Sequence, residues 1–200
     1  MRYTGSIYRK SRRLGFSLLE NNKEFTKGKQ RTTRPGQHGA KRAKLSNYGQ
    51  QLQEKQKLMY LYGMNDRQFR RFFIIAKKRK GATTLNLLQV LESRLDSLVF
   101  RAGLAPTRRS ARQLITHGHI LVNGKKVNIP SIILNVGDKI SVAEKSKNMP
   151  LITNVNTAAA PFVNLNKEAL EAEFVRLPER VELPEDINEA YVVEWFNRLL

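Results

Sequence analysis

The chain contains no cysteine. That absence excludes a disulfide framework, a thiolate metal site and a cysteine nucleophile. It also lacks any apolar run approaching the roughly 18 residues of a spanning helix. Its densest apolar stretch, Phe72 to Ala76, is five residues long. The opening Met1-Arg2-Tyr3-Thr4-Gly5-Ser6 is basic but has no apolar core of the secretory-signal kind. A soluble, intracellular protein of a reducing compartment is expected, with no membrane partner. Carboxylates are scarce where cations are dense: residues 1–80 hold 22 Lys and Arg against 4 Asp and Glu.

What is present is a steep charge gradient. The 200 residues carry 36 Lys and Arg against 17 Asp and Glu, a net charge of +19. Residues 81–150 hold 10 basic and 4 acidic side chains, and residues 151–200 hold 4 and 9. A merely solubilising surface would intersperse the signs. This split instead directs the N-terminal part towards a polyanion and the C-terminal part away from it.

Residues 1–45 read as a basic arm, with 13 basic and 2 acidic side chains and five glycines. Few of its apolar positions repeat at helical or strand spacing, so an arm that gains order on its partner is expected. Its candidate polyanion-binding residues are Arg9, Lys10, Arg12, Arg13, Arg34, Gly36, Gln37, His38, Lys41 and Arg42. Arg34-Pro35-Gly36-Gln37-His38-Gly39 predicts a tight turn whose backbone can approach a phosphate closely.

From Ser46 the pattern becomes helical. Leu58, Leu61 and Tyr62 share one face, and Gly63 is a stop. Asn65 predicts an N-cap, with Gln68 as capping-box partner. Phe69, Phe72, Phe73 and Ala76 then form an apolar stripe at i, i+3, i+4 and i+7, which predicts core packing rather than base stacking. The other faces carry Arg67, Arg70, Arg71, Lys77 and Lys78, all candidate phosphate contacts, followed by Arg79 and Lys80. A third helix is predicted from about Thr84 to Arg101. Thr107 predicts the cap of a further helix over Arg108 to His117, with Ala111, Leu114 and Ile115 inward. Arg108, Arg109, Arg112 and Gln113 are expected to face outward, where guanidinium forks suit phosphate oxygens.

Ile120 and Val122 alternate as a strand into Asn123-Gly124, a type I′ hairpin signal. Lys125 flanks the turn, and short strands follow to Val142. Thr107, His117, His119, Asn123 and Lys125 complete the candidate polyanion-binding set in this region. No carboxylate stands at ligand spacing from the histidines, so no metal site and no cofactor are expected. No nucleotide-binding loop is present, and no small-molecule substrate is expected. Asn166 predicts the cap of a short helix over Lys167 to Glu173. Ile187, Tyr191, Val192, Trp195, Phe196 and Leu199 predict a closing amphipathic helix. The acidic Glu179, Glu182, Glu185, Asp186, Glu189 and Glu194 are expected to form a solvated face or one that meets a basic protein.

These residues carry a resemblance. Leu95-Asp96, Arg109-Ser110-Ala111-Arg112-Gln113-Leu114-Ile115 and Gly118-His119-Ile120-Leu121-Val122-Asn123-Gly124 resemble the small RNA-binding module named after small-subunit ribosomal protein four. Arg34-Pro35-Gly36-Gln37-His38-Gly39, Gln56-Lys57-Leu58-Met59-Tyr60-Leu61-Tyr62-Gly63, Phe174-Val175-Arg176-Leu177-Pro178-Glu179-Arg180 and Leu183-Pro184-Glu185-Asp186-Ile187-Asn188-Glu189 extend it. With them the likeness to the bacterial or organellar form of that ribosomal-protein family covers essentially the whole chain. The resemblance implies an α+β fold in which a helical domain is interrupted by a small helix-helix-hairpin RNA-binding module. The expected divisions are an arm over 1–45, a discontinuous helical domain over 46–90 plus 158–200, and the module over 91–157.

The resemblance further implies a structural constituent of the cytoplasmic small ribosomal subunit. Such a protein binds the 5′ domain of 16S rRNA, nucleates subunit assembly and contributes to translational accuracy. Its implied partners are that rRNA, small-subunit proteins five and three, and mRNA near the channel by which it enters. Repression of the chain's own mRNA and an RNA-modifying enzyme carrying the same module are the alternatives. The enzyme finds no nucleophile, metal or cofactor motif here. Some family members hold zinc in the arm through four cysteines; this chain departs from them.

Overall fold

The computed structural model describes residues 3–21, 25, 33–41, 44–153, 155, 158–184 and 186–198. Eight α-helices and one five-stranded antiparallel sheet are present among them, an α+β fold. The chain forms two compact units, Met1–Ile74 with Pro184–Leu200, and Ile75–Leu183.

The first unit is helical. Helix α1 spans Ile7–Leu14, with Ile7, Ser11 and Leu14 buried. Their i, i+4, i+7 spacing makes a narrow inner stripe, so this part of the arm has helical order that its sparse apolar content concealed. Gly15 ends the helix at φ 64°, a left-handed position that glycine adopts at little cost. Helix α2, Asn47–Leu61, begins where Ser46 Oγ accepts from Gly49 N at 3.2 Å. Helix α3, Asp66–Lys78, begins where Asn65 Oδ1 accepts from Gln68 N at 2.8 Å. The predicted cap at Asn65 therefore stands.

The C-terminal helix, here α8 (Glu189–Asn197), packs on α2. The Phe196 ring stacks on Phe73 at 4.4 Å between centroids and lies 5.5 Å from Phe69. Trp195 sits 4.8 Å from Tyr48. Gln51 Nε2 donates to Glu194 Oε2 at 2.8 Å. The phenylalanine stripe is thus core, and each buried ring contributes a few kcal/mol, on the order of the ~3–5 kcal/mol lost on truncation to alanine.

The second unit carries helices α4 (Thr83–Glu92), α5 (Leu95–Arg101), α6 (Arg108–Thr116) and α7 (Pro150–Thr153). The single helix predicted over Thr84 to Arg101 is two. Arg94 takes extended backbone and bridges to Ile133. Around it Leu95 N donates to Ile132 O at 2.9 Å and Leu134 N to Ser93 O at 2.8 Å. Apolar spacing runs unbroken through this break, because Leu91, Leu95 and Leu98 are buried on either side of it.

The sheet contains β1 (Ile120–Val122), β2 (Lys125–Lys126), β3 (Lys139–Val142), β4 (Val163–Asn166) and β5 (Glu171–Phe174), in the order β2-β1-β3-β5-β4. Asn123 and Gly124 stand at φ 49° and 77°, the two positive values that a type I′ turn needs. The helix predicted over Lys167 to Glu173 is instead the turn and second strand of a hairpin. Asn166 Oδ1 does accept from Glu168 N and Ala169 N, at 3.1 and 3.3 Å. Leu170, at φ 54°, then reverses the chain. Val163, Ala172 and Phe174 are buried while Asn164 and Glu171 are exposed, so strand alternation decides the conformation. β5 pairs with β3, Ile140 opposite Ala172. Residues 163–174, expected beside the helices of the first unit, therefore extend the module's own sheet. Among the described residues no helix is long and apolar enough to cross a membrane.

Candidate nucleic-acid interface

In the first unit three elements present cations. On α1, Arg9 and Arg13 are exposed and Arg12 is half-buried. Lys10 is withdrawn. Its Nζ lies 4.9 Å from the Tyr3 ring and 4.7 Å from the Tyr60 ring, and donates to Tyr60 Oη at 3.2 Å. A cation between two rings, with a hydroxyl acceptor, is already solvated by protein.

The turn after Arg34 is closed by Gly39 N donating to Gly36 O at 3.2 Å and Lys41 N to His38 O at 3.1 Å. Arg34, Gly36, Gln37, His38 and Lys41 are exposed; Arg42 lies outside the described residues. Gly36 stands at φ 109°. A Cβ at Gly39 would lie 1.8 Å from Arg34 O. The turn thus requires glycine at both positions, for backbone freedom at one and close approach at the other.

On α3 the inner face holds Phe69, Phe72 and Phe73, while Arg67, Arg70 and Arg71 are exposed. Ile74, exposed beside them, interrupts the cations. Lys77, Lys78, Arg79 and Lys80, at the start of the second unit, are also exposed. The predicted division into a core face and a cationic face therefore holds on this helix.

In the second unit the candidate residues of α6 divide. Thr107 Oγ1 accepts from Ser110 N at 3.1 Å, which is the predicted cap. Ala111, Leu114 and Ile115 are buried. Arg109 and Gln113 are exposed. Arg108 and Arg112, expected to face outward with them, turn inward instead. Arg108 Nη2 donates to Glu92 Oε1 at 2.9 Å, and its guanidinium lies 4.8 Å from the Phe100 ring. Arg112 Nη1 reaches Asp96 Oδ2 at 3.4 Å. The reason is electrostatic: both carboxylates are buried, and a buried charge needs an opposite charge beside it.

Beyond α6, His117 is exposed and its ring lies 6.0 Å from that of His119. His119 Nδ1 is 2.8 Å from Ser146 Oγ, which fixes the ring. The Asn123 side chain is spent on the fold: its Nδ2 donates to Asp138 Oδ1 at 2.8 Å, and its Oδ1 accepts from Lys139 N at 2.9 Å. Lys125 is exposed at the hairpin tip. A Cβ at Gly118 would lie 2.1 Å from Lys126 Cε, so the lysine stem crosses this glycine. Among the described residues no group of three or more His, Asp or Glu side chains could hold a metal ion.

Sequence reasoning missed Glu92 and the Arg94–Asp96 pair as organisers of this surface. A signal existed. Both carboxylates interrupt the leucine-rich run from Leu87 to Val99, where a charged residue is seldom buried without a partner.

Two family models match the chain: the ribosomal protein S4/S9 N-terminal domain over residues 2–92, and the S4 domain over residues 93–140. Curated relatives are similar along its full length. It is 69% identical over 200 residues to small ribosomal subunit protein uS4 of Ureaplasma urealyticum, covering 100% of this chain and 99% of that protein. The uS4 protein of Malacoplasma penetrans is 62% identical over 200 residues, with the same coverage. That of Mycoplasma genitalium is 55% identical over 204 residues, covering 100% of both.

Proposed function

The chain belongs to the uS4 family of small ribosomal subunit proteins, and from that premise we propose that it is a primary binder of the 5′ domain of 16S rRNA. It is a structural, non-enzymatic protein of the cytoplasmic small subunit that binds rRNA. The modifying-enzyme alternative falls with that membership.

One observation supports the reading above the others. The exposed cations of α3 stand on a helix whose other face is core, and those of the Arg34 turn on a hydrogen-bonded turn, whereas the acidic side chains concentrate in residues 151–200. Exposed cations serve phosphates, and phosphate contact positions a protein on folded RNA without reading bases. The proposed phosphate-contacting set is Arg9, Arg13, Arg34, Lys41, Arg67, Arg70, Arg71, Lys77, Lys78, Arg109 and Lys125, with Gln37, His38, Gln113 and His117 as hydrogen-bonding neighbours. Lys10, Arg108 and Asn123 act through the fold. Specificity then comes from the shape of an RNA junction.

The finer roles follow as parts of the proposal. The acidic segment around Glu179, Asp186 and Glu189 faces a basic protein neighbour, taken to be small-subunit proteins five and three, beside the channel by which mRNA enters. Early binding nucleates subunit assembly, and the neighbour contact bears on translational accuracy.

The test is binding of the full chain to a 5′-domain transcript beside an unrelated structured RNA of equal length, across a salt series. The 5′-domain transcript should win by a margin that widens as salt rises, because nonspecific phosphate contacts fade first. If both affinities fall together, the chain is a general basic RNA binder and the junction assignment is wrong.

A further inference from the structure

The inward turn of Arg108 and Arg112 carries an inference of its own, one that rests on the RNA-binding reading above. Helix α6 has three faces. Ala111, Leu114 and Ile115 enter the apolar core. Arg108 and Arg112, at i and i+4, form a second face. Arg109, Gln113 and Thr116, at i, i+4 and i+7, form a third, and all three are exposed. The second face rests on two buried carboxylates from neighbouring helices.

Glu92, at the end of α4, is fully buried. Arg101 grips it bidentately, with Nη2 2.9 Å from Oε1 and Nε 3.1 Å from Oε2, and Arg108 Nη2 reaches the same Oε1 at 2.9 Å. The Arg108 side chain is 9% exposed. Asp96, in the first turn of α5, is 4% exposed. Arg94 grips it with Nε at 3.0 Å and Nη2 at 2.5 Å, and Arg112 approaches at 3.4 Å. The Arg112 side chain is 24% exposed. Forked guanidinium–carboxylate contacts fix direction as well as distance. The forks from Arg101 and Arg94 hold the two carboxylates in place, and Arg108 and Arg112, one turn apart on α6, each add a contact to one of them, which restrains both the rotation of α6 about its axis and its position along that axis.

We propose that Glu92 and Asp96 are positioning residues of the RNA-binding face of α6: by holding Arg108 and Arg112 inward they set where Arg109 and Gln113 point. Arg108 works through Glu92, not on RNA. The idea has an unusual consequence. Removing a negative charge from a basic RNA-binding protein ordinarily strengthens binding to any RNA. Glu92→Gln removes one, yet it should weaken binding to the specific RNA, because Arg101 and Arg108 lose the anion that orders them.

The test uses the full chain, a 5′-domain transcript and an unrelated structured RNA of equal length. Affinities are taken across a salt series for Arg108→Met, Arg109→Ala and Glu92→Gln, with cooperative thermal unfolding as the folding check. Arg108→Met leaves Glu92 bound by Arg101. It should lower affinity for the 5′-domain transcript about tenfold, a difference of about 1.4 kcal/mol, leave affinity for the unrelated RNA within about twofold, and leave the salt slope unchanged. Arg109→Ala should lower the slope by about 1. Glu92→Gln, if it folds, should weaken specific binding while strengthening nonspecific binding; if it does not fold, Arg108→Met decides. A purely structural defect would weaken both RNAs alike.

A slope lowered by about 1 in Arg108→Met would put Arg108 on a phosphate and overturn the proposal. So would unchanged affinity, or equal losses on both RNAs. If Arg109→Ala changes neither affinity nor slope, the failure belongs to α6 as an RNA-binding face and not to the positioning by Glu92.

Discussion

Helices α3 and α6 both carry arginines beside an apolar face, but they hold them differently. On α3, Arg67, Arg70 and Arg71 project into water, and the nearest ion pair on that helix is Lys55 with Asp66, at 2.5 Å. On α6, two of three arginines are turned onto carboxylates that water does not reach. The α3 arginines keep their rotamer freedom and lose it only on a partner. Arg108 and Arg112 of α6 have lost it already, and so hold the helix that presents Arg109 in one orientation. One surface supplies adaptable charge and the other supplies geometry.

The largest contrast should appear in stability. Asp96→Asn removes the carboxylate from Arg94, whose side chain is completely buried. Breaking a buried pair from one side costs about 3–5 kcal/mol. Arg70→Ala, on the exposed face of α3, should stay within about 0.5 kcal/mol. Denaturant unfolding of both variants measures the gap. Equal midpoints would mean that the buried pair carries no special cost and that the two helices do not differ in kind.

The next contrast is in binding. Replacing Arg67, Arg70 and Arg71 together by alanine should lower the salt slope by about 3 with little change in unfolding temperature. Loss should be similar on 5′-domain and unrelated transcripts, since solvent-exposed cations contribute affinity without shape. A loss confined to the 5′-domain RNA would give α3 the geometric role assigned to α6.

The division between these helices also marks what the chain reveals before it folds. Local chemistry was legible. Asn65 and Thr107 cap the helices they were expected to cap, Asn123-Gly124 makes its hairpin, and the stripe of Phe69, Phe72 and Phe73 is core. Each depends on neighbours within about one helical turn. What stayed hidden depends on distant partners. The break at Arg94 is imposed by backbone pairing with Ile132, Ile133 and Leu134. The hairpin over residues 163–174 is drawn into the sheet by β3, although Asn166 at its turn has the form of a helix cap. The outward reading of Arg108 and Arg112 failed for the same reason. Helical spacing shows which residues share a face, while the buried carboxylate facing them comes from another helix. On α1, the apolar residues were too few to signal a helix by periodicity alone.

The smallest effect expected comes from a third kind of arginine, neither free nor buried. Arg176 donates from Nη1 and Nη2 to both carboxylate oxygens of Glu182, and Glu179 N donates to Glu182 Oε2 at 2.8 Å. The guanidinium hydrogen bonds, more than any other cause, hold the Glu182 carboxyl below its usual range, and they raise Arg176. A depressed acid adds stability above its unfolded pKa, about 4.3 for glutamate, and loses it as pH falls through the folded value. The stability gap between the parent chain and Glu182→Gln should therefore be level at neutral pH and close in the acid range below about pH 4. Arg176, raised from an already high value, adds no pH dependence in that window. Its side chain is 42% exposed, so added salt should shrink the gap further. Unfolding midpoints of the two proteins across pH, at low and high salt, test this. A gap that persists at the lowest pH would assign Glu182 a packing role in place of an ionic one, and would leave Glu92 and Asp96 as the carboxylates whose charge the fold uses.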